Sequence, residues 1–176
     1  MRYSAGMSER IVVEHDFECS EKAFWDVFLD NDYNRAMFLG HLGFNRWEIT
    51  QFDQSDDFLS RTVEVEPKVG PLPGPIKKVI GEKIGYREEG RLDLAKNRYE
   101  VQVIPGLLRD KISVTGVQYT VTTGEQRCRR LFEATITVKI FGVGNIIERQ
   151  IAADMKRGYE AGAAFTQAHL LKNGIR

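Results

Sequence analysis

The stretch Asn145–Lys172, NIIERQIAADMKRGYEAGAAFTQAHLLK, decides the fold. Ile147, Ile151, Met155 and Tyr159 stand four apart and so share one side of an α-helix. Phe165 and Leu170 continue that side less regularly. Gly142 to Gly144 break the chain before the helix, and Gly174 is placed to stop it. A helix of about 28 residues spans roughly 40 Å at about 1.5 Å per residue. It is also lean: Ala152, Gly158, Ala161, Gly162, Ala163 and Ala164 carry almost no side chain.

The chain before this helix has a period of two. Phe132, Ala134, Ile136, Val138 and Ile140 alternate with polar residues in a strand expected over Arg127–Ile140, after a turn at Gly124-Glu125. Lys111–Thr123 precedes it. Tyr99, Val101 and Val103 alternate after a tight turn at Lys96-Asn97. Ile84, Tyr86, Leu92 and Leu94 oppose Arg87, Glu89, Arg91 and Asp93. Leu59, Val63 and Val65 mark a strand over Phe58–Glu66, and Trp47 and Ile49 one that begins near Phe44. Turn signals about a dozen residues apart describe an antiparallel meander.

Between Pro67 and Pro75 lie four of the five prolines, and such a segment cannot enter the middle of a sheet. Ile76–Gly81 adds one helical turn, for which Pro75 suits the first position. At the other end, Arg10–Phe17 reads as a strand. Ser20 is the N-cap of a helix carrying Ala23, Phe24, Val27 and Phe28, with Glu21 favourably at its positive end. Asp30 to Asp32 break that helix, and a second short one covers Tyr33–Leu39 before Gly40 and Gly43. Met1–Ser8 reads as a tail ahead of one domain, 9–176.

The fold class is therefore α+β: an antiparallel sheet of about six to seven strands, two short helices after the first strand and a long C-terminal helix. A half-buried sheet must cover its apolar face, and the last helix is the only element long enough to do so.

This order resembles the helix-grip fold of START-like proteins, the SRPBCC superfamily of lipid-transfer domains, aromatase/cyclases and plant pathogenesis-related allergens. Within it the chain is similar to a bacterial family, a domain of unknown function of about this length. The resemblance rests on VEHDFECSEKAFWDVFLDNDYNRAMFLGHLGF (Val13–Phe44), VEPKVGPLPGPIKKVIGEKIGYREEGRLD (Val65–Asp93) and CRRLFEATITVKIFGVGNIIERQI (Cys128–Ile151). It implies a sheet curved around the last helix and a cavity between them. It brings no catalytic motif.

Composition narrows the function classes. Lys plus Arg and Asp plus Glu are both 25, so the chain lacks the basic excess of a nucleic-acid binder. Cys19 and Cys128 make no disulfide framework and no zinc pattern, and a reducing, cytoplasmic setting is expected. No stretch reaches the ~20 apolar residues of a membrane span. There is no P-loop, G-x-G-x-x-G, G-x-S-x-G or H-E-x-x-H motif, and neither cofactor nor metal is expected. His41 and His169 are isolated. His15, Asp16 and Cys19 lie close together, but strand alternation turns Asp16 away from the other two.

The cavity is expected to be walled by Trp47, Arg61, Val63, Tyr86, Glu88, Tyr99, Val101, Phe132, Ile136, Ile151, Met155 and Tyr159. Close packing of helix on sheet, with Tyr86, Tyr99, Phe132 and Met155 filling the space, is the competing expectation. Glu88 shares the face of Ile84, Tyr86 and Leu92, with Arg61 as a partner if it points inward; a bulge in YREEG would turn it outward. Val69, Leu72, Ile76, Lys77, Lys78 and Ile80, with Val79 and Lys83 nearby, read either as a gate touching an anionic membrane surface or as a loop packed on the sheet. The leading expectation is binding, with transport, of a lipid or other hydrophobic small molecule. A cyclase- or dehydratase-type enzyme using a cavity acid/base, and an interaction module presenting an apolar outer sheet face, are the alternatives.

Overall fold

A computed structural model describes residues 8–68, 70–81 and 84–176, with Ile80 by its backbone alone. Met1–Met7 of the expected tail, Val69, Lys83 and the Ile80 side chain lie outside the described residues. Seven strands form one antiparallel sheet: β1 (Glu9–Phe17), β2 (Arg46–Gln54), β3 (Phe58–Glu66), β4 (Tyr86–Asp93), β5 (Arg98–Pro105), β6 (Ile112–Gly124) and β7 (Arg127–Val138). The order across the sheet is β1-β7-β6-β5-β4-β3-β2. Strands β2 to β7 are a meander, and β1 closes onto β7 with Phe17 opposite Cys128.

β1 and β2, neighbours in sequence, thus occupy opposite edges. The chain between them must cross the sheet, and it does so as α1 (Glu21–Leu29) and α2 (Asn31–Arg35), which runs on into a π-helical turn, Ala36–His41. Ser20 caps α1 through a hydrogen bond from the Ala23 amide, 3.2 Å. Asp30 both ends α1 and caps α2, accepting from the Tyr33 amide at 2.7 Å. The Asn34 side chain, almost fully buried, donates to the carbonyls of Phe28 (2.8 Å) and Asp30 (2.7 Å) and locks the corner. The second helix expected over Tyr33–Leu39 is therefore two pieces, because Asp30 caps earlier and the chain widens where it meets the C-terminal helix. The proline-rich segment leads to α3 (Gly74–Ile80).

The long helix α4 runs over Gly144–Asn173 and ends at Gly174 in the left-handed conformation, φ 62°. It rests on β1 and β7 and touches the π turn. The inner apolar face is packed solid at its two ends. At the α1 end Phe17, Phe24, Trp25, Leu59, Leu92 and Leu170 form one cluster. At the other end Ile11, Ile112, Ile136, Val138 and Ile147 form a second, joined by Ile76 of α3.

Two strand glycines shape the middle of this face. Gly90 of β4 lies between Arg61 and Val101 of the flanking strands. A Cβ there would come within 1.6 Å of the Tyr99 hydroxyl oxygen. At Gly116 of β6 a Cβ would stand 2.8 Å from the Phe132 ring. Each glycine lets an aromatic ring lie down across its strand. Gly90→Ala must push Tyr99 off β4 and should cost about 1–3 kcal/mol in urea unfolding. In Gly90→Ala/Tyr99→Val the combined cost should fall below the sum of the single changes.

Candidate functional site

Because α4 sits on the β1–β7 side, the strands β3 to β6 curve up beside it with a gap between. The gap is a cavity of about 990 Å³. Its helix wall is kept low by the small residues of α4: a Cβ on Gly158 would meet nothing within 4 Å. Its exposed lining residues, which mark the mouth, include Lys68 and Gly70 near Leu72, Leu107 of the β5–β6 loop, and Asp154 and Arg157 of α4.

Of the residues expected to wall it, Arg61, Tyr86, Glu88, Tyr99, Val101, Phe132, Ile151, Met155 and Tyr159 do. Trp47, Val63 and Ile136 do not. Trp47 is stacked flat on Phe38, centroids 5.3 Å apart, and packs with Val63 and Val65 beneath the π turn. Ile136 is sealed within the second core cluster. Leu72 and Ile76 line the cavity, while Lys77 and Lys78 are exposed on the outer side of α3.

Charged residues such as Arg46, Lys68, Arg109, Asp154 and Arg157 lie at the cavity's exposed edge, and its buried charged side chains, Arg61 and Arg130, sit on the sheet. Arg61 Nε donates to the Tyr99 hydroxyl at 3.1 Å, and that hydroxyl donates to Glu88 Oε1 at 3.3 Å. Gly90 permits this chain, since Tyr99 reaches both partners by crossing β4. Arg61 is also held over the Phe28 ring, 4.5 Å from its centre. Glu88 points inward, and no bulge interrupts the β3–β4 register around it. It is enclosed by protein yet keeps accessible surface, which belongs to the cavity. Burial pushes its carboxyl above the ordinary range, against the nearby Arg61 charge and the Tyr99 hydrogen bond. Burial likewise raises the Tyr86 and Tyr99 phenols.

A second polar group was not among the expected site residues. Arg130 of β7 is buried beside His15, and its Nη2 donates to His15 Nδ1 at 2.7 Å. The guanidinium stands over the rings of Phe17 and Tyr159. Nδ1 accepts, so the imidazole proton is on Nε2, which faces Glu160 at 3.2 Å. Gln118 of β6 also lines the cavity. The alternation that puts Phe132, Ala134 and Ile136 inward reaches Arg130 when extended two residues back, and that signal is present in the sequence.

The His15–Asp16–Cys19 cluster is divided as alternation requires. Asp16 faces out, holding Arg129 by two hydrogen bonds of 2.7 and 3.0 Å. Cys19 is fully buried with Cys128 in the α1-end core, and both are free thiols. Among the described residues no group of His, Cys, Asp and Glu is arranged to hold a metal ion, and no helix is long and apolar enough to cross a membrane. On the outer sheet face Glu89, Arg91, Glu100, Gln102, Thr115 and Thr135, together with Val12 and Val117, line an open trough of mixed polar and apolar character.

A seven-stranded curved sheet gripping a long C-terminal helix defines the helix-grip class, and solved structures of that class superpose on nearly the whole chain. A protein of Thermus thermophilus matches with a TM-score of 0.67 at 13% identity, over 94% of this chain and 99% of its own. Norcoclaurine synthase from Thalictrum flavum, in complex with dopamine and hydroxybenzaldehyde, matches with 0.64 at 19%, over 94% and 90%. The Zhui aromatase/cyclase from a Streptomyces species matches with 0.65 at 12%, over 93% and 95%. At these identities the likeness is one of fold. The chain belongs to the family described as protein of unknown function (DUF2505), whose model matches residues 12–170. No curated protein matches it in sequence.

The His15 environment has a pH signature. Burial, then the Arg130 charge, hold the imidazole below its ordinary 6.5, against the pull of Glu160 and Asp16. An unfolded chain takes up this proton as pH falls through about 6.5 while the folded chain resists. The contribution of neutral His15 to stability is thus full above that pH and lost as pH falls toward the folded value. His15→Gln keeps an acceptor for Arg130 and should flatten the fall in unfolding free energy between about pH 7 and pH 5, measured in urea.

Proposed function

We propose that this protein binds a lipid or other hydrophobic small molecule between the sheet and α4, and carries it. The observation that supports this is the cavity of about 990 Å³, bounded on the helix side by the bare backbone of Gly158. Ligand pockets occupy about 300–1,000 Å³ and are mainly apolar with a few placed polar groups, and this one fits that description. Val101, Val103, Val114, Ile151 and Met155 supply apolar wall, and Arg61, Glu88, Gln118 and Arg130 supply the polar points. A helix-grip neighbour seen with two small aromatic molecules is in keeping with such a role.

Exchange of the ligand is proposed to run through the segment 67–84. Leu72 and Ile76 face the cavity while Lys77 and Lys78 face out, so moving α3 would open the interior beside a basic surface. The alternative, an enzyme of the cyclase or dehydratase type, draws on one observation. Glu88, with its raised pKa, ends a hydrogen-bond chain from Arg61 through Tyr99 and faces the cavity as a proton donor would. Glu88→Gln would then abolish turnover of a cavity-bound substrate without loss of folding.

Native mass spectrometry of the purified protein, with solvent extraction, should find a bound apolar molecule or uptake from a panel of lipids and aromatic compounds. Gly158→Phe should fill the space above Gly158 and abolish that uptake while leaving the melting temperature at or above that of the parent. A protein that carries nothing and takes up nothing overturns the reading. Flotation with vesicles rich in anionic lipid should retain the protein, and Lys77→Glu/Lys78→Glu should weaken retention. Unchanged retention would remove the membrane step and leave the cavity reading in place.

A further inference from the structure

Two buried arginines line the cavity, and they differ in their company. Arg61 is linked through Tyr99 to the carboxyl of Glu88. Arg130 is 7% exposed and has no carboxylate within 4.0 Å among the described residues. Its hydrogen-bond partners are the neutral His15 ring and, at 3.4 Å, the Tyr159 carbonyl; through that ring it reaches only Glu160, 3.2 Å from His15 Nε2, whose carboxylate is mostly in solvent. Its Nε–H has no acceptor. A guanidinium cannot escape the cost of burial by losing its proton, so an unpaired one in the interior is a costly arrangement.

Gln118 repeats the pattern with a neutral donor. It is 3% exposed, and its Nε2 also has no acceptor. Gln118 stands opposite Phe132, and Thr120 opposite Arg130, on adjacent strands. Gln118 and Arg130 are therefore diagonal neighbours on the inner face, with Cβ atoms about 7–8 Å apart, a span that two long side chains close. Both line the cavity, as do Tyr33 and Thr166, whose hydroxyls are hydrogen-bonded to each other. Two side chains with an unsatisfied donor, one of them charged, thus stand in the cavity wall; both donor atoms are covered and reach the space by a rotation of their side chains.

What is missing there is an acceptor with one negative charge. A carboxylate carries the single charge that matches the buried Arg130 guanidinium, and its two oxygens accept from two donors. We infer that the ligand is an amphipathic carboxylic acid whose carboxylate binds Arg130 and Gln118, with its apolar body running toward Leu72 at the mouth. The inference rests on the hydrophobic-ligand reading above and adds the head group to it.

Calorimetric titration of the delipidated protein with matched pairs tests it: decanoic acid against decanol, and naphthylacetic acid against naphthylethanol. One pair has a chain for its body and the other a fused ring, so they also separate aliphatic from aromatic acids. In at least one pair the acid should bind about tenfold or more tightly than the alcohol, as expected for a charge-assisted hydrogen bond. Arg130→Met should bring acid and alcohol within about twofold while leaving alcohol affinity in place, and Gln118→Leu should narrow the gap part-way. Arg130→Met also removes an unpaired buried charge, so the ligand-free variant should melt at or above the parent. If Arg130→Met does not fold, Gln118→Leu alone decides. Equal affinities for acid and alcohol in the parent protein overturn the acid inference and leave the cavity reading standing. So does an acid preference that survives both substitutions. Binding of none of the four compounds overturns the acid inference, and the extraction and panel result decides the cavity reading separately.

Discussion

The inner face of the sheet has to be covered, and the element that covers it is narrower than the face. α4 is a single helix resting on β1 and β7, and the sheet it must shield is seven strands wide. Large side chains would have filled the difference on a bulkier helix. Here Gly158 and Gly162 line an opening in the middle, and the aromatic and aliphatic clusters close it only at the ends. The strand order follows the same logic. β1 and β2 lie at opposite edges, so α1, α2 and the π turn must bridge the sheet, and they wall the end of the gap that α4 leaves.

The polar groups in that gap are held by the means that hold the fold. Gly90 exists where Tyr99 must lie across β4, and Tyr99 is the link between Arg61 and Glu88. Gly116 does the same for Phe132, which then stacks on Tyr159 of α4 at 4.2 Å between ring centres. Tyr159 in turn lies beneath the guanidinium of Arg130. Sheet glycines, aromatic rings and buried charges thus form one connected layer, and a change at a glycine is felt at the charges.

Local periodicity made the elements legible. Alternation located the strands and their inward faces, four-residue spacing located α4 and its stripe, and Ser20, Asp30 and Gly174 marked helix ends for reasons of hydrogen bonding that need no tertiary contact. The site was legible where it coincided with those stripes, as at Tyr99, Phe132, Ile151 and Met155. It was not legible at Trp47, Val63 and Ile136, which lie on the correct face but are roofed by Phe38 or by the second core cluster. An inward face is a property of one strand; whether anything sits on it is not.

The amino-acid sequence by itself determined the order of strands and helices, the face each would bury and the leanness of the helix that covers them, because these depend on neighbours within a few residues. The tertiary structure alone decided where the helix lies on the sheet, and hence that a cavity of about 990 Å³ stands open beside it. It alone decided that Arg61 reaches the enclosed carboxyl of Glu88 through Tyr99, while Arg130 reaches only the exposed Glu160, through His15. An empty volume, like an unpaired charge, is a relation among residues far apart in the chain, and it comes into being only when they are brought together.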